Sequence, residues 1–317
     1  MTTMTALDLV AADMGRVRDY LQRVGEGDNP ILVETIRHLF GTQGKYIRPA
    51  LCLLVGHLFH AEASERLVEF AAGMEVVHTA SLVHDDTLDD ASTRRGNTTV
   101  NAGWNGHIAI LVGDYLFAQS AIVTAGLGEL RVMAMLADMI KSMVRGELLQ
   151  METVFDWEQD EAGYDRKIGN KTAALFALCT EGAGVLAGAS DDQLRALRDY
   201  GYSLGLAFQI VDDILDVTED EDALGKPSGS DLAQGKVTLP VIYYLRGATL
   251  EQRALVQDTA RVDEAVAAIR ASTAVDQARA RAGGLVDAAV DALGALPAGE
   301  ARAALGDVAR SVVHRTH

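Results

Sequence analysis

The stretch 74-MEVVHTASLVHDDTLDD-90 joins a largely apolar run to a cluster of aspartates. The run continues a helical pattern of apolar residues that extends from Leu67 to Leu88. Asp85 and Asp89 are four residues apart, so a helix places both carboxylates on one face, about one turn from each other. Like charges at this spacing repel each other unless a cation lies between them. The stretch therefore predicts a buried helix that ends in a cation-binding cluster.

A second cluster of the same form stands in 208-FQIVDDILD-216, again at the end of an apolar run. Asp212 and Asp216 repeat the four-residue spacing of the first pair. Magnesium prefers hard oxygen ligands, with one or two carboxylates and the phosphates of a substrate. Two clusters with matched spacing and matched surroundings favour a magnesium site over two solvated helix ends.

The rest of the chain also shows helical patterning. Only five prolines occur in 317 residues, and no segment sustains the two-residue alternation of a strand, so we predict no sheet. We expect one helical domain over 1–317, with the catalytic motifs in 44–240 and packing helices from about 250 to 317. Helical spacing at the N-terminus is followed by Val10, Met14, Val17, Leu21 and Val24. Further helices are predicted over 107–126, 131–154, 171–188 and 191–217, with breaks at 41–44, 94–97, 169–170 and 220–235.

The bulk composition excludes several classes of protein. The formal net charge is −17, with only 28 lysines and arginines, so the chain lacks the basic face of a nucleic-acid-binding protein. Its two cysteines form no CxxC pair, which argues against a zinc site. There is no basic segment followed by an apolar one at the N-terminus, and no uncharged apolar run of the about 20 residues that a membrane span needs. We expect a cytoplasmic protein without a transmembrane segment.

Basic residues stand close to both aspartate clusters in the sequence. Arg94 and Arg95 follow the first cluster, while Lys45 and Arg48 stand upstream in 44-GKYIRP-49. The second cluster is followed by the glycine-rich segment 225-GKPSGSDLAQGKVTLP-240, which carries two further lysines. Guanidinium and ammonium groups next to a metal cluster are what diphosphate oxygens require.

The motifs GKYIRP, HTASLVHDDTLDDASTRRG, NKT, FQIVDDILD and GKPSGSDLAQGKVTLP closely resemble the trans-isoprenyl diphosphate synthase (polyprenyl synthetase) family of the medium- and long-chain type. All five occur in the family's order. The resemblance implies the all-α isoprenoid synthase fold, a single large helical bundle around a central cavity. It also implies a magnesium-dependent prenyltransferase, a transferase of alkyl groups other than methyl, that works as a homodimer.

The same resemblance implies roles for particular residues. Asp85, Asp89 and Asp212 would be metal ligands, and three magnesium ions would bridge them to an allylic diphosphate. Asp216 is a weaker ligand candidate, in the second shell or linked through water, and Asp86 and Asp213 have no settled role. The allylic substrate would be held by Arg94, Lys171, Thr172, Gln209, Lys226 and Lys236. Isopentenyl diphosphate would be held by Lys45, Arg48, His78 and Arg95. The residues that act most directly in catalysis would be Asp85, Asp89, Asp212, Lys171 and Arg94.

Product length is implied by the residues just before the first cluster. In similar enzymes a bulky aromatic residue five positions before the first aspartate stops growth early, but this chain has Ala80 there, followed by Ser81. We therefore expect a C30–C50 product, with a geranylgeranyl or farnesyl product as the alternative. A class I terpene cyclase and a non-catalytic prenyltransferase subunit are less well supported. One departure from the family is Tyr46, where a basic residue is usual.

Overall fold

The computed structural model describes residues 8–41, 44, 46–60, 63–94, 96–219 and 228–314. Within them the chain is almost entirely helical. The long helices are α1 (Ala11–Arg23), α2 (Pro30–Phe40), α3 (Ile47–Phe59), α4 (Glu65–Leu88), α6 (Gly106–Gly126), α7 (Leu130–Glu152), α9 (Ala174–Leu186), α10 (Asp191–Thr218), α15 (Ala274–Ala292) and α16 (Glu300–Val313). The shorter ones are α5 (Val100–Gly103), α8 (Glu161–Ile168), α11 (Ser230–Ala233), α12 (Leu239–Arg246), α13 (Leu250–Gln257) and α14 (Val262–Arg270). Single 3₁₀ turns cover Thr259–Arg261 and Leu293–Ala295.

The chain forms two compact units, the first made of Met1–Ala137, Leu178–Leu197 and Ala295–Asp307. Helix α4 is its centre and packs against α1, α3 and α6. Its N-terminus is capped by Ser64, whose hydroxyl accepts the amide hydrogen of Leu67. Small residues bring the helices together: a β-carbon at Gly56 would strike Leu67, and one at Gly73 would already touch Val123. This packing holds the helix that carries the first aspartate cluster.

The second unit consists of Asp138–Ala177, Arg198–Gly294 and Val308–His317. Helix α12 packs on α8, α14 and α15 within it. Arg270 of α14 caps the end of α10 by donating to the carbonyl oxygens of Val217 and Glu219, and it also donates to the hydroxyl of Ser228. Because helix ends leave backbone carbonyls without partners, this arginine fixes the segment that carries the second cluster.

The helices expected from spacing are present, with small shifts at their ends. The five apolar N-terminal residues Val10, Met14, Val17, Leu21 and Val24 are all buried, and the all-α fold class is confirmed. Three expectations need correction. The expected break at 220–235 contains the short helix α11 (Ser230–Ala233), and its residues 220–227 lie outside the described residues. Where we predicted a plain break at 94–97 and no sheet, the strands β1 (Thr93–Arg94) and β2 (Asn97–Thr98) pair as a two-stranded antiparallel sheet. The expected break at 169–170 is instead a π-helical turn, Gly169–Ala173, that continues α8 into α9.

Candidate active site

The first aspartate cluster lies at the C-terminal end of α4. Asp85 is half-buried and Asp89 is exposed at the helix end, while Asp86 is buried. Arg94 donates from Nε to a carboxylate oxygen of Asp86 at 2.7 Å. Burial raises the pKa of Asp86, the Arg94 guanidinium opposes this, and the neighbouring Asp85 and Asp89 raise it further. Asp86 therefore interacts with both neighbouring carboxylates and with the guanidinium of Arg94.

The hairpin β1–β2 positions Arg94. Its strands pair Thr93 with Thr98 and Arg94 with Asn97, and Gly96 takes the left-handed backbone that the tight turn requires (φ 76°). The guanidinium has five N–H donors, and the bond to Asp86 uses Nε. Arg94 can thus fix the cluster and still present N–H groups to an anion. Its neighbour Arg95 lies outside the described residues.

The residues expected to bind isopentenyl diphosphate and set product length also lie in the first unit. Arg48 is half-buried in the first turn of α3, which follows the left-handed Tyr46 (φ 45°). His78 is half-buried on α4, two turns before Asp85. Lys45 lies outside the described residues. Ala80 is fully buried, whereas Ser81 is half-buried and donates its hydroxyl to the backbone of His78.

The second cluster lies near the end of α10, and its three aspartates differ sharply. Asp212 is half-buried, whereas Asp213 and Asp216 are buried. One oxygen of Asp216 accepts from the Ser230 hydroxyl at 2.9 Å, and the other accepts from the Asp231 amide at 3.2 Å. Asp216 therefore ties α10 to the start of α11. Each oxygen of Asp216 therefore already accepts a hydrogen bond, and the role of this residue as a metal ligand stays a prediction.

Asp213 lies between Tyr164 and Gln209. The Tyr164 hydroxyl donates to one carboxylate oxygen at 2.6 Å, and Gln209 Nε2 donates to the other at 2.9 Å. Burial raises the pKa of Asp213 to about 7 and Asp231 adds to the rise, while both hydrogen bonds oppose it. Gln209 Oε1 in turn accepts from the Thr172 hydroxyl at 2.7 Å. A buried carboxylate is thereby linked to a residue expected to bind substrate.

The π-helical turn Gly169–Ala173 presents the predicted substrate residues of the NKT motif. Two glycines, one on α7 and one on α10, allow the backbones of these helices to approach the wide turn closely. A β-carbon at Gly146 of α7 would lie 2.5 Å from the backbone nitrogen of Lys171, and one at Gly205 of α10 would lie 2.6 Å from the α-carbon of Ala173. Single-turn π-bulges within helices are frequent at functional sites. The turn is thus fixed by backbone contact on two sides.

Lys171 of this turn has charged neighbours in the second unit. The Lys171 ammonium forms an ion pair with Glu147. Lys236 is placed by a β-bridge to Val154. Lys167 is only 6% exposed, and burial lowers its pKa while Asp213 and Asp231 oppose the change. The charges of Lys171 and Lys236 lower the pKa of Lys167 further. Lys226 lies outside the described residues.

Tyr164, Lys167 and Glu147 were not among the residues singled out from the sequence. A signal was present for two of them, because Tyr164 and Lys167 stand seven and four residues before Lys171 and so share its helical face. Nothing comparable pointed to Glu147. It contacts the turn from α7, a helix that no spacing rule relates to the NKT motif.

The donor set suits magnesium bound together with a substrate. Among the described residues, no three histidine, cysteine or acidic side chains form a ready-made metal cage. What each unit offers is separate carboxylates: Asp85 and Asp89 one turn apart at the end of α4 in the first unit, and Asp212 on α10 in the second. Magnesium is typically held by one or two carboxylates plus substrate phosphates rather than by an all-protein cage. The residues present therefore fit this metal.

The chain is similar to known proteins over nearly its whole length. The family model described as polyprenyl synthetase matches residues 29–275. Heptaprenyl diphosphate synthase component 2 of Geobacillus stearothermophilus is 38% identical over 96% of this chain and 96% of its own length. A decaprenyl diphosphate synthase structure from Rhodobacter capsulatus has a TM-score of 0.91 and 36% identity, covering 98% of both chains. A polyprenyl synthase structure from Caulobacter crescentus, in complex with calcium and isoprenyl diphosphate, has a TM-score of 0.95 and 32% identity, covering 99% of this chain and 98% of that one.

Proposed function

This chain belongs to the polyprenyl synthetase family and is a prenyltransferase with the isoprenoid synthase fold, and we propose that it condenses isopentenyl diphosphate with an allylic diphosphate to give a C30–C50 product. The observation that carries the proposal is the pair of intact aspartate clusters, each with cationic residues close by, within a chain similar to long-chain synthases over nearly its whole length.

The proposed mechanism is ionisation, condensation and elimination. Asp85, Asp89 and Asp212 would hold three magnesium ions, which when bound would neutralise charge on the departing diphosphate.

 The cations of Arg94, Lys171 and Lys236 supply positive charge for the oxygens of the same leaving group. The double bond of isopentenyl diphosphate then attacks the allylic cation, and the released diphosphate takes up the proton that the resulting cation loses. Apolar residues around the prenyl chain keep water away from the cation.

The proposed product length rests on the small residues before the first cluster and on the relatives. Ala80 is fully buried and Ser81 is half-buried, so neither places a large side chain in the path of a growing prenyl chain. The similar proteins named above are described as heptaprenyl and decaprenyl diphosphate synthases. A long product is therefore favoured over the geranylgeranyl or farnesyl alternative.

Product sizing tests this function. The purified chain is incubated with magnesium, farnesyl diphosphate and labelled isopentenyl diphosphate, and the dephosphorylated products are separated by length. We expect linear products between C30 and C50, and none when magnesium is chelated. Products of C20 or shorter would support the shorter-chain alternative, and a cyclic hydrocarbon would support a terpene cyclase. If the chain shows no turnover alone, a two-component synthase becomes the better description, as the name of the Geobacillus relative suggests for that enzyme.

We also propose a cytoplasmic homodimer, with helix α6 at the interface between the two copies. Four exposed apolar residues share one face of α6: Leu111, Ala118, Ile122 and Ala125. The exposed fraction is 61% for Leu111 and 65% for Ile122. Exposed apolar residues grouped on one face mark an interaction site, and on this face they flank the exposed Asp114. The same helix is long and apolar enough to cross a membrane, a test that core helices of soluble proteins also pass.

The proposed dimer can be tested by placing charged residues on this face of α6. The double substitution Leu111→Asp with Ile122→Asp should convert the chain from dimer to monomer in sedimentation velocity, because two buried unpaired carboxylates are costly at an interface. Leu250→Asp is the control, since Leu250 is a lone leucine that is 88% exposed on α13. A wild-type chain that sediments as a monomer, or that requires detergent to stay in solution, would contradict the proposal.

A further inference from the structure

His84 stands directly before the proposed metal ligand Asp85, and its side chain contacts helix α6. The imidazole Nε2 lies 3.1 Å from the backbone carbonyl oxygen of Ile110, and the ring packs against that of Phe117 with 5.7 Å between centroids. A carbonyl oxygen only accepts, so Nε2 carries the hydrogen of this bond. The Asp114 carboxylate lies 3.6 Å from the same nitrogen. His84 therefore fastens α4 to α6 about one turn before α4 ends.

The imidazole ring of His84 lies directly on a glycine of α6. Gly113 is buried, and a β-carbon there would lie 2.1 Å from Nε2 and 2.2 Å from Cδ2 of His84. Any other residue at 113 would thus occupy the space that the ring fills. Glycine is less favourable than alanine inside a helix, so the contact with His84, and not helix formation, gives this glycine its purpose.

This contact is one of two that flank Asp85 around the axis of α4. Successive residues of an α-helix are about 100° apart, so His84 and Asp86 project on either side of Asp85. Asp86 accepts from Arg94 at 2.7 Å, and His84 is bound to α6. Together the two contacts fix the rotation of the end of α4. Asp89 shares the face of Asp85 and is oriented with it.

The two contacts differ in their relation to the substrate. Arg94 is also a proposed ligand of the allylic diphosphate, so Asp86 has to share its guanidinium with that anion. The contact between His84 and α6 involves a backbone carbonyl and a glycine, and no group in it is proposed to bind substrate. His84 is therefore the contact that can hold the end of α4 in the same orientation with the site empty or filled.

We propose that His84 is a positioning residue, which packs on Gly113 and thereby aligns Asp85 and Asp89 for the magnesium that binds together with a diphosphate. The inference rests on the proposed function, in which these two aspartates hold the metal. His84 touches neither metal nor substrate in this role, since it acts through the orientation of α4.

Binding of inorganic diphosphate tests this role without turnover. It is measured by titration calorimetry at a fixed magnesium concentration. Groups that orient metal ligands typically contribute about ten- to a hundredfold to metal affinity, and for His84→Ala we expect the Kd of diphosphate to rise about tenfold. With magnesium chelated, His84→Ala and wild type should bind diphosphate alike, because the cationic residues are unchanged. In turnover, KM for isopentenyl diphosphate should stay within about twofold of wild type while the magnesium requirement rises.

Two further variants change the contact in opposite ways. His84→Gln should stay within about threefold of wild type in diphosphate affinity, because the glutamine Nε2 can still donate to the Ile110 carbonyl. Gly113→Ala keeps the histidine but displaces its ring, which is 29% exposed and can move toward solvent. We expect the same loss as in His84→Ala, and no additional loss when the two changes are combined.

Two controls match these changes elsewhere in the first unit. Gly15→Ala makes the same replacement within α1, where a β-carbon would meet nothing within 4 Å. His60→Ala removes another imidazole whose Nε2 lies 3.1 Å from a backbone carbonyl, that of Ala187. Both should bind diphosphate as wild type does. Melting temperatures of all variants are measured alongside, so that a loss of fold is seen directly.

The outcomes separate the inference from the proposed function. Wild-type affinity in folded His84→Ala or Gly113→Ala would overturn the inference, and so would losses that multiply in the double variant or an equal loss in His60→Ala. A wild-type chain that does not bind diphosphate with magnesium would overturn it too. If the binding pattern is as expected but no allylic primer is elongated, the positioning role stands and the proposed function fails.

Discussion

Replacing Asp85 with asparagine should lower kcat by about a thousandfold, because the amide keeps the size of the carboxylate and loses the charge that binds magnesium. Asp85 is half-buried near the end of the buried helix α4. Its charge and that of Asp89 both raise the pKa of Asp86, which lies beside it. Its removal also lessens repulsion in the cluster, so we expect the melting temperature to stay the same or rise. Steady-state kinetics across a range of magnesium concentrations, with differential scanning calorimetry, measure both effects.

Asp90 provides the control for this substitution within the same cluster. It is exposed, and its backbone is left-handed (φ 49°), a conformation that asparagine adopts as readily as aspartate. Asp90→Asn therefore makes the same change of charge without strain, and we expect activity within about twofold of wild type, as for ordinary surface substitutions. Equal losses in the two variants would show that the charge of the cluster as a whole matters, and would remove the specific role of Asp85.

Spacing predicted the helices well because the packing of this chain follows it closely. Near the N-terminus, the buried residues stand at the positions that a 3.6-residue period dictates: Val10, Met14, Val17, Leu21 and Val24. The π-helical turn could not be predicted in this way. In the sequence, Gly169 and Asn170 indicate only a helix break. The turn depends on close backbone approach by Gly146 and Gly205, which lie on other helices that the local sequence does not reveal. The hairpin was missed for the opposite reason, since strands of two residues are too short to show a period.

The aspartates of the second cluster illustrate what spacing cannot tell. Asp212, Asp213 and Asp216 form one motif in the sequence, yet their surroundings differ. Asp213 is bound by Tyr164 and Gln209, and Asp216 by Ser230 and the Asp231 amide. These partners come from segments before and after α10, so only the folded chain shows which carboxylate is occupied in this way. The motif identifies a candidate site, and the contacts assign tasks within it.

Replacing Ala80 with tyrosine should shorten the product to C20 or less, if the prenyl chain passes this point of α4 as we propose. Ala80 is fully buried about one turn and a half before Asp85. A phenol ring there would occupy space that the growing chain needs, so elongation should stop once the chain reaches it. The lengths of the products are measured with farnesyl diphosphate and with geranyl diphosphate as primers.

Overpacking is the main complication, because inserting a large side chain into a tight core costs about 1–3 kcal/mol. A lower folded fraction reduces the amount of product made but not its length, so the length distribution reports on the pocket alone. Ala80→Ser serves as the control of small size and should leave the distribution as in wild type. Ser81→Tyr places the same ring at a half-buried position, where there is less tight packing to disturb. If both tyrosine variants fold and still make C30–C50 chains, the prenyl chain runs elsewhere and neither residue sets its length.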